Sequence, residues 1–179
     1  MSYKQLTQEE AQKAFDYVDG KLFWKPRLGG RWDSRWVGKM AGRTKPDGRM
    51  DISYNNVRYK YHRIVWNWHY GEIPYKMEID HINGNPSDNR IANLRLCKHQ
   101  ENMLNRKMQS NNKCSVKNVY YSKDRNLWVV DIRSNGVRHI SEHKTLESAA
   151  KTAKIVRIKL HNEFANHGII SPNLNAEAA

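Results

Sequence analysis

The stretch Ile79-Asp-His-Ile-Asn-Gly-Asn-Pro-Ser-Asp-Asn-Arg-Ile-Ala-Asn-Leu-Arg-Leu-Cys-Lys-His-Gln-Glu-Asn102 carries a dense set of reactive side chains. Asp80 offers a hard oxygen ligand for Mg²⁺ or Mn²⁺, and the adjacent His81 offers a base with an ordinary pKa of about 6.5, suited to taking a proton from water. Neighbouring strand residues point to opposite faces, so both groups reach one phosphate only at a bend or strand end. Asn83-Gly84-Asn85-Pro86 follows at once and predicts that bend.

The same residues admit a second interpretation, in which Asp80 and Asn83 form an Asx turn and His81 is hydrogen bonded locally. A lone Asp-His pair would favour that interpretation. Here Asn93 and Asn102 follow in order, with Asn-Gly-Asn-Pro between, and the complete set favours a catalytic centre.

Residues 61–106 resemble the HNH nucleases, specifically the phage and intron-encoded branch of homing endonucleases that builds a ββα-metal motif. The resemblance implies that His81 is the general base and that Asp80 binds the metal ion. It also implies that Asn93 holds the loop and that Asn102, on the following helix, completes the metal site. Many members carry His at this last position, but an amide oxygen also binds a hard divalent ion. One Mg²⁺ or Mn²⁺ ion per chain is therefore expected.

Two further histidines have open interpretations. His99 lies one turn before Asn102 and either assists catalysis or, as is more usual for a histidine on a helix surface, is solvated. His62 precedes Arg63-Ile-Val-Trp66, a stretch that also resembles these nucleases, but packing explains it equally well.

The charge of the chain indicates its partner. Its 179 residues include 31 Lys and Arg against 18 Asp and Glu, a formal net charge of +13. Such an excess favours a polyanion, and double-stranded DNA is the first candidate. Six Trp and nine Tyr predict a folded chain rather than a disordered basic tail. A structure-selective RNA binder would draw on the same charge and aromatic residues and is a third hypothesis.

Composition argues against several other classes of protein. Cys97 and Cys114 are the only cysteines and lack C-x-x-C spacing, which argues against disulfide frameworks and cysteine-based zinc sites. No stretch approaches the roughly 18 to 20 apolar residues of a membrane helix, and the first residues lack an apolar leader segment. We expect a soluble cytoplasmic protein, in the host cell if it is phage-encoded, with no membrane partner and no small-molecule cofactor.

Local signals predict the elements before the central stretch. Thr7 and Glu10 have the spacing of a capping box and predict a helix over 7–15. Asp19-Gly20 and Asn55-Asn56 each separate apolar runs and predict two hairpins, and residues 62–69 are predicted helical. Between the hairpins, residues 26–49 are rich in Gly and basic residues, which favours a surface loop and a DNA-contacting arm equally.

Residues 116–166 resemble the AP2 DNA-binding domain appended to phage HNH nucleases, with three strands followed by a helix. Alternation along 128–133 places Trp128, Val130 and Ile132 on the face beneath the helix. The resemblance implies that the opposite face lies in the major groove. The candidate DNA contacts are Arg125, Arg133 and Arg138. The sequence departs from the AP2 pattern where Asn118 replaces the usual Gly and His143 replaces an aromatic residue.

Together these patterns predict an α+β protein in two modules. Residues 1–106 form the nuclease domain, whose hairpins lead into a ββα-metal core with the catalytic motif at 77–106. Residues 107–115 form a basic linker, 116–168 an AP2-like domain with a three-stranded antiparallel sheet and a helix, and 169–179 a tail.

The predicted function is metal-dependent hydrolysis of phosphodiester bonds in double-stranded DNA, by nicking or by cutting both strands. The resemblance implies a homing endonuclease encoded by a bacteriophage. The alternative is a non-catalytic DNA-binding regulator that keeps the nuclease segment as a scaffold. A single metal site per chain favours nicking unless two chains meet, and we expect a monomer or a weak dimer.

Overall fold

The computed structural model describes residues 4–26, 34–105, 108, 112–134, 136–161 and 164–165. The chain divides into two compact units, 1–99 and 100–179. Residues 27–33 of the predicted arm, residues 107 and 109–111 of the predicted linker 107–115, Asn135 in the second predicted turn and all of the tail 169–179 lie outside the described residues. The predicted domain bounds therefore stay predictions.

Short helices and antiparallel strands alternate along the described residues, in a mixed α+β arrangement. In chain order they are α1 (Gln8–Ala14), β1 (Phe15–Val18), β2 (Lys21–Trp24), β3 (Arg43–Thr44), β4 (Met50–Tyr54), β5 (Val57–Lys60), α2 (Tyr61–Tyr70), β6 (Met77–His81), β7 (Leu94–Lys98), α3 (His99–Leu104), β8 (Val119–Ser122), β9 (Leu127–Ser134), β10 (Val137–His143) and α4 (Leu146–His161).

The predicted N-terminal signals are confirmed. The Thr7 hydroxyl accepts the Glu10 N–H at 3.1 Å, and the Glu10 carboxylate accepts the Thr7 N–H at 2.8 Å, so the capping box starts α1. Asp19–Gly20 and Asn55–Asn56 all have positive φ angles, as two-residue hairpin turns require. They join β1 to β2 and β4 to β5 as antiparallel pairs.

The core of the first unit lies around α2. Phe15, Leu22 and Tyr61 are fully buried there, and the Tyr61 hydroxyl accepts the Leu22 N–H. Ile79 of β6 and Leu94 of β7 belong to the same apolar cluster. The hairpin β6–β7 is therefore packed on a core that the N-terminal hairpins complete, and burial of this apolar area stabilises its position.

The strand β3 was not predicted. Its two residues pair antiparallel with Met50 and Asp51 of β4, and Lys45 forms an ion pair with Asp51 at 2.7 Å. Two residues give no periodic signal, so the pattern could not separate this strand from a loop. Whether the segment contacts DNA stays a prediction.

The second unit pairs its strands in the order β10-β9-β8, and α4 packs on one face of this sheet. Val130 and Ile132 are buried against Ala149 and Ala153 of the helix, and Trp128 packs at the edge of that cluster, as alternation predicted. No helix among the described residues is long and apolar enough to cross a membrane.

Two residues of the second unit refine the sequence prediction. Val129, which alternation between Trp128 and Val130 places on the face opposite the helix, is only 2% exposed. Asn118 has a φ of 65°, and its carbonyl accepts the Asp131 N–H at 3.1 Å. Asn adopts this left-handed conformation more readily than most residues, which explains how it replaces the usual Gly.

Candidate active site

The end of β6 brings Asp80 and His81 to the tip of one hairpin. In the antiparallel register, Asp80 lies opposite Arg95 and His81 opposite Leu94. His81 is the last strand residue, and its carbonyl accepts the Gly84 N–H at 2.8 Å, so the chain turns where the sequence predicted a bend. Asp80 is 8% exposed and His81 is half-buried. The two candidate groups thus stand at a strand end beside a surface loop.

Arg95 holds the carboxylate of Asp80 from across the hairpin. Its Nε and Nη2 atoms donate to Asp80 Oδ2 at 3.0 and 2.8 Å. Both side chains are almost buried, 11% and 9% exposed. A charge-assisted pair in this environment fixes the carboxylate firmly, and loss of one partner leaves the other charge uncompensated. Sequence reasoning missed Arg95, because the contact follows only from the strand register.

Asn89 orients the ring of His81. Asn89 is 3% exposed, and its Oδ1 lies 3.2 Å from His81 Nε2. Because an amide oxygen only accepts, the bond selects the histidine tautomer that carries its proton on Nε2 and its lone pair on Nδ1. Burial lowers the pKa of His81 below its ordinary value, although the Asn89 hydrogen bond and the charge of Asp80 oppose this shift. Neutral His81 is therefore the dominant form at pH 7 and can act as a base.

His62, which sequence reasoning left unassigned, lies beside His81. The two rings are 5.2 Å apart between centroids and meet edge to face at 70°. Burial first, and then the charges of His81, Lys60 and Arg63, lower the pKa of His62 to about 3. His62 is thus a neutral ring that contacts the candidate base. The only sequence signal for His62 was the resemblance of the stretch His62-Arg63-Ile-Val-Trp66 to these nucleases.

Asn93 holds together the two ends of the loop between β6 and β7, residues 82–93, which we call the site loop. Its Oδ1 accepts the Asn83 N–H at 3.0 Å, and its Nδ2 donates to Asn83 Oδ1 at 3.0 Å and to the Asp88 carbonyl at 2.8 Å. Its own carbonyl accepts the Ile82 N–H at 2.9 Å. Asn83 does form an Asx turn, since its Oδ1 also accepts the Asn85 N–H at 2.8 Å. That turn shapes the loop and leaves Asp80 and His81 in the arrangement described above.

The N-terminal hairpins brace the same loop from outside. The Tyr17 hydroxyl accepts the Ile91 N–H at 3.0 Å. A Cβ atom on Gly20 would lie 2.7 Å from the Arg90 nitrogen, so the turn of the first hairpin approaches the loop as closely as only glycine allows. The hairpins are therefore part of the support of the site.

The candidate metal ligands are a carboxylate and an amide. Asn102 lies in α3, which follows β7 directly. Among the described residues, no group of three or more His, Cys, Asp or Glu side chains forms a metal cluster. A nearly buried carboxylate and an amide oxygen fit Mg²⁺ or Mn²⁺, since Mg²⁺ keeps several waters and commonly uses one or two carboxylates plus a substrate phosphate.

His99, the second histidine with an open interpretation, is exposed and forms a hydrogen bond with Glu78, in which Nδ1 and Oε1 are 2.9 Å apart.

In the second unit, the three candidate DNA contacts carry exposed charges that pair with carboxylates. Arg138 donates to both oxygens of Asp131 at 2.9 and 2.7 Å, and Arg133 Nε lies 3.9 Å from Asp131 Oδ1. Arg125 donates to Glu142. The hydrogen bond from Arg138, then its charge and that of Arg133, lower the pKa of Asp131. These partners were not predicted, because acidic residues of a basic chain gave no signal of their own.

Known proteins provide a separate comparison. Residues 59–104, which include β6, β7 and α3, match the protein family described as HNH endonuclease. The chain is 34% identical over 104 residues to protein 3.8 of Escherichia phage T7, an alignment that covers 58% of this chain and 86% of that protein. It is 32% identical over 116 residues to an uncharacterized HNH endonuclease of Acanthamoeba polyphaga mimivirus, covering 64% of this chain and 59% of that protein. No solved structure matches the chain significantly.

Proposed function

Because this chain belongs to the HNH endonuclease family of DNA-cleaving hydrolases, we propose that it hydrolyses phosphodiester bonds of double-stranded DNA with one divalent metal ion. The observation that carries the proposal is the Asp80–His81 pair at the end of β6, with His81 oriented by Asn89. A base and a hard oxygen ligand, adjacent in sequence and fixed by buried partners, are the groups that such hydrolysis needs.

His81 acts as the general base. Its Nδ1 takes a proton from water while the water oxygen bonds to phosphorus and the bond to the 3′ oxygen breaks. Asn89 keeps the ring in the tautomer that can accept this proton, and Asn93 keeps the loop closed around both residues. Preorganisation of this kind lowers the barrier because no group has to move during the reaction.

By the family resemblance, Asp80 and Asn102 would supply oxygen ligands for one Mg²⁺ or Mn²⁺ ion. When bound, such an ion stabilises negative charge on the scissile phosphate and the leaving 3′ oxygen. Arg95 holds the Asp80 carboxylate in one orientation.

The second unit serves as an AP2-like DNA-binding module. Its three-stranded antiparallel sheet, covered on one face by α4, supports this assignment, as do the exposed arginines at 125, 133 and 138. Binding through this unit would raise the effective concentration of DNA at the nuclease unit. The resemblance of residues 61–106 to the homing branch implies a homing endonuclease, and the relative from phage T7 supports a phage-encoded protein that acts in the host cytoplasm.

Metal-dependent strand scission tests the proposal. Supercoiled plasmid is incubated with wild type, Asp80→Asn and Glu78→Gln, each in Mg²⁺, Mn²⁺ or EDTA, and nicked and linear products are quantified. Glu78→Gln is the matched control because it removes a carboxylate from the same strand. Wild type should cut only with metal, Asp80→Asn should lose roughly 100-fold or more in rate, and the control should stay within about 3-fold.

Binding of Mn²⁺, followed by electron paramagnetic resonance, provides a readout besides activity. Asp80→Asn and Asn102→Ala should each weaken Mn²⁺ binding roughly 10- to 100-fold relative to wild type, whereas Glu78→Gln should not. If folded wild type shifts the mobility of DNA but leaves it intact in both metals, the non-catalytic regulator is the better account.

A further inference from the structure

The turn between β3 and β4 lies against the site loop on both sides of Arg49. The Gly48 carbonyl accepts the Ser87 hydroxyl at 2.8 Å. On the other side, Met50 Sδ lies 3.7 Å from Asn89 Nδ2, a contact within the range of sulfur hydrogen bonds. Both chain neighbours of Arg49 are therefore anchored to the loop that orients the candidate base.

The approach of this turn depends on a glycine. Gly48 has a φ of +80°, and a Cβ atom there would lie 2.9 Å from Ser87 Oγ and 3.4 Å from a Pro86 side-chain carbon. A Cβ atom there would displace the Ser87 hydroxyl that bonds the Gly48 carbonyl, and the positive φ also favours glycine. The turn therefore places the backbone of Arg49 beside the loop that orients His81.

Arg49 presents an exposed cation at this rim. Its side chain is 71% exposed, and Nη1 lies 3.5 Å from Oδ2 of Asp47, itself 52% exposed. Exposed pairs of this kind contribute little, so Asp47 is a partner that a phosphate can replace. The positive charge of Arg49 also contributes, behind burial, to the lowered pKa of both His62 and His81, as expected for a cation near those rings.

We propose that Arg49 is a substrate-binding residue that contacts a phosphate of the DNA backbone beside the cleaved bond. The inference rests on the proposed nuclease function and adds a positioning contact from outside the matched family segment 59–104. A guanidinium binds phosphate through two parallel hydrogen bonds and so fixes orientation as well as distance. Arg49 positions the strand while Asp80 and His81 act on it.

Arg49→Gln tests this contact, with Arg58→Gln as the matched control. Arg58 is also exposed and lies on β5, in the sheet that contains β3 and β4. Its substitution by Gln removes the same charge. Binding of duplex DNA is measured by fluorescence anisotropy in EDTA at several salt concentrations, and cleavage by single-turnover kinetics in Mg²⁺. Arg49→Gln should weaken binding about 5- to 10-fold and reduce the slope of log K against log salt by about 1. Arg58→Gln should change binding less than about 2-fold, and Arg49→Lys should recover part of the loss.

A double-variant cycle with Ser87→Ala separates positioning from charge alone. If the turn positions Arg49 through Ser87, the effects of Ser87→Ala and Arg49→Gln on cleavage should be clearly non-additive. Additive effects, or equal effects of Arg49→Gln and Arg58→Gln, would overturn the inference.

The outcomes also separate this inference from the nuclease proposal. If wild type cuts DNA and the two glutamine variants are equally impaired in cleavage, the proposed role of Arg49 is wrong and the nuclease proposal stands. If wild type never cuts DNA but its DNA binding depends selectively on Arg49, the nuclease proposal is wrong and the proposed phosphate contact stands.

Discussion

The site loop of the first unit and the open sheet face of the second hold their polar groups in opposite ways. In the loop, the amides at positions 83, 89 and 93 make many of the hydrogen bonds, and the ion pair of Asp80 with Arg95 on the adjoining strands is almost buried. On the sheet face, Arg133 and Arg138 share Asp131, and their side chains are 68% and 45% exposed. Water screens the exposed pairs of the second arrangement more strongly than the buried side chains of the first, which are Asp80, Asn89 and Asn93.

This difference predicts how each region responds to change. A buried network with fixed partners is costly to disrupt, because each lost partner leaves a desolvated group. Exposed pairs contribute little to stability, so their charges can be exchanged for those of a ligand. The first region suits chemistry that requires fixed geometry, and the second suits reversible binding of a polyanion.

The largest contrast is expected between Arg95→Met and Arg138→Met. The first variant leaves the carboxylate of Asp80 buried without its cation and should lower the free energy of local unfolding by roughly 3–5 kcal/mol. The second breaks an exposed pair and should cost less than about 1 kcal/mol. Hydrogen exchange with mass spectrometry resolves both units. Asp80→Asn combined with Arg95→Met should recover much of the loss, and equal losses in the two single variants would contradict the comparison.

The next effect concerns catalysis. Asn93→Ala removes the hydrogen bonds from Asn93 to Asn83 and Asp88, and single-turnover cleavage should slow roughly 100-fold, about 2.7 kcal/mol of transition-state free energy. The control is Asn85→Ala, which removes a bond to Ser87 from an exposed position of the same loop and should cost less than about 5-fold. Similar rates for the two variants would show that closure of the loop by Asn93 is unimportant.

A smaller effect follows from the half-buried ring of His62. Burial first, then His81 and the cations of Lys60, Arg63 and Arg49, lower its pKa from 6.5 to about 3, so folding favours the neutral form. The resulting stability is present above about pH 6.5 and is lost as the pH falls towards 3. Between pH 7 and 5, wild type should lose about 1–2 kcal/mol more than His62→Gln.

Urea unfolding followed by tryptophan fluorescence measures this difference. Five of the six tryptophans lie within residues 1–99, so the signal reports mainly on the unit that contains His62. Identical pH profiles for the two proteins would show that protonation of His62 does not lower the free energy of unfolding.

The smallest effect tests the sheet face by a gain of affinity. Asp131→Asn removes a negative charge between Arg133 and Arg138 and should tighten binding of duplex DNA about 3-fold at moderate salt, measured by anisotropy. Glu147→Gln removes the same charge from α4, which covers the other face, and should have a smaller effect. Misfolding rarely tightens binding, so an unchanged or weaker affinity for Asp131→Asn would argue against DNA on this face.

Local sequence signals predicted most of the elements around the site. Asp19-Gly20 and Asn55-Asn56 required positive φ angles, and the Thr7–Glu10 spacing required a helix start, independently of the rest of the chain. The end of β6 at His81 followed in the same way from the turn residues after it. Each of these features depends on a few adjacent residues.

Contacts between distant segments were not predictable in this way. The pairing of Asp80 with Arg95 needs the strand register, and the bond from Ile91 to the Tyr17 hydroxyl joins residues 74 positions apart. Asn89, which orients His81, lies in a run of similar polar residues that gives no reason to single it out. These contacts between distant segments fix the orientation of the motif residues in the candidate active site.

The most direct test of the central claim is single-turnover cleavage by His81→Ala and His99→Ala in Mg²⁺, with binding of DNA measured in parallel. Both variants remove one histidine from the nuclease segment, but only His81 is held by Asn89 at the end of β6. Cleavage by His81→Ala should fall roughly 10²- to 10⁴-fold with DNA binding retained, whereas His99→Ala should stay within a few-fold of wild type. A folded His81→Ala that cuts at nearly the wild-type rate would contradict the claim that His81 is the base.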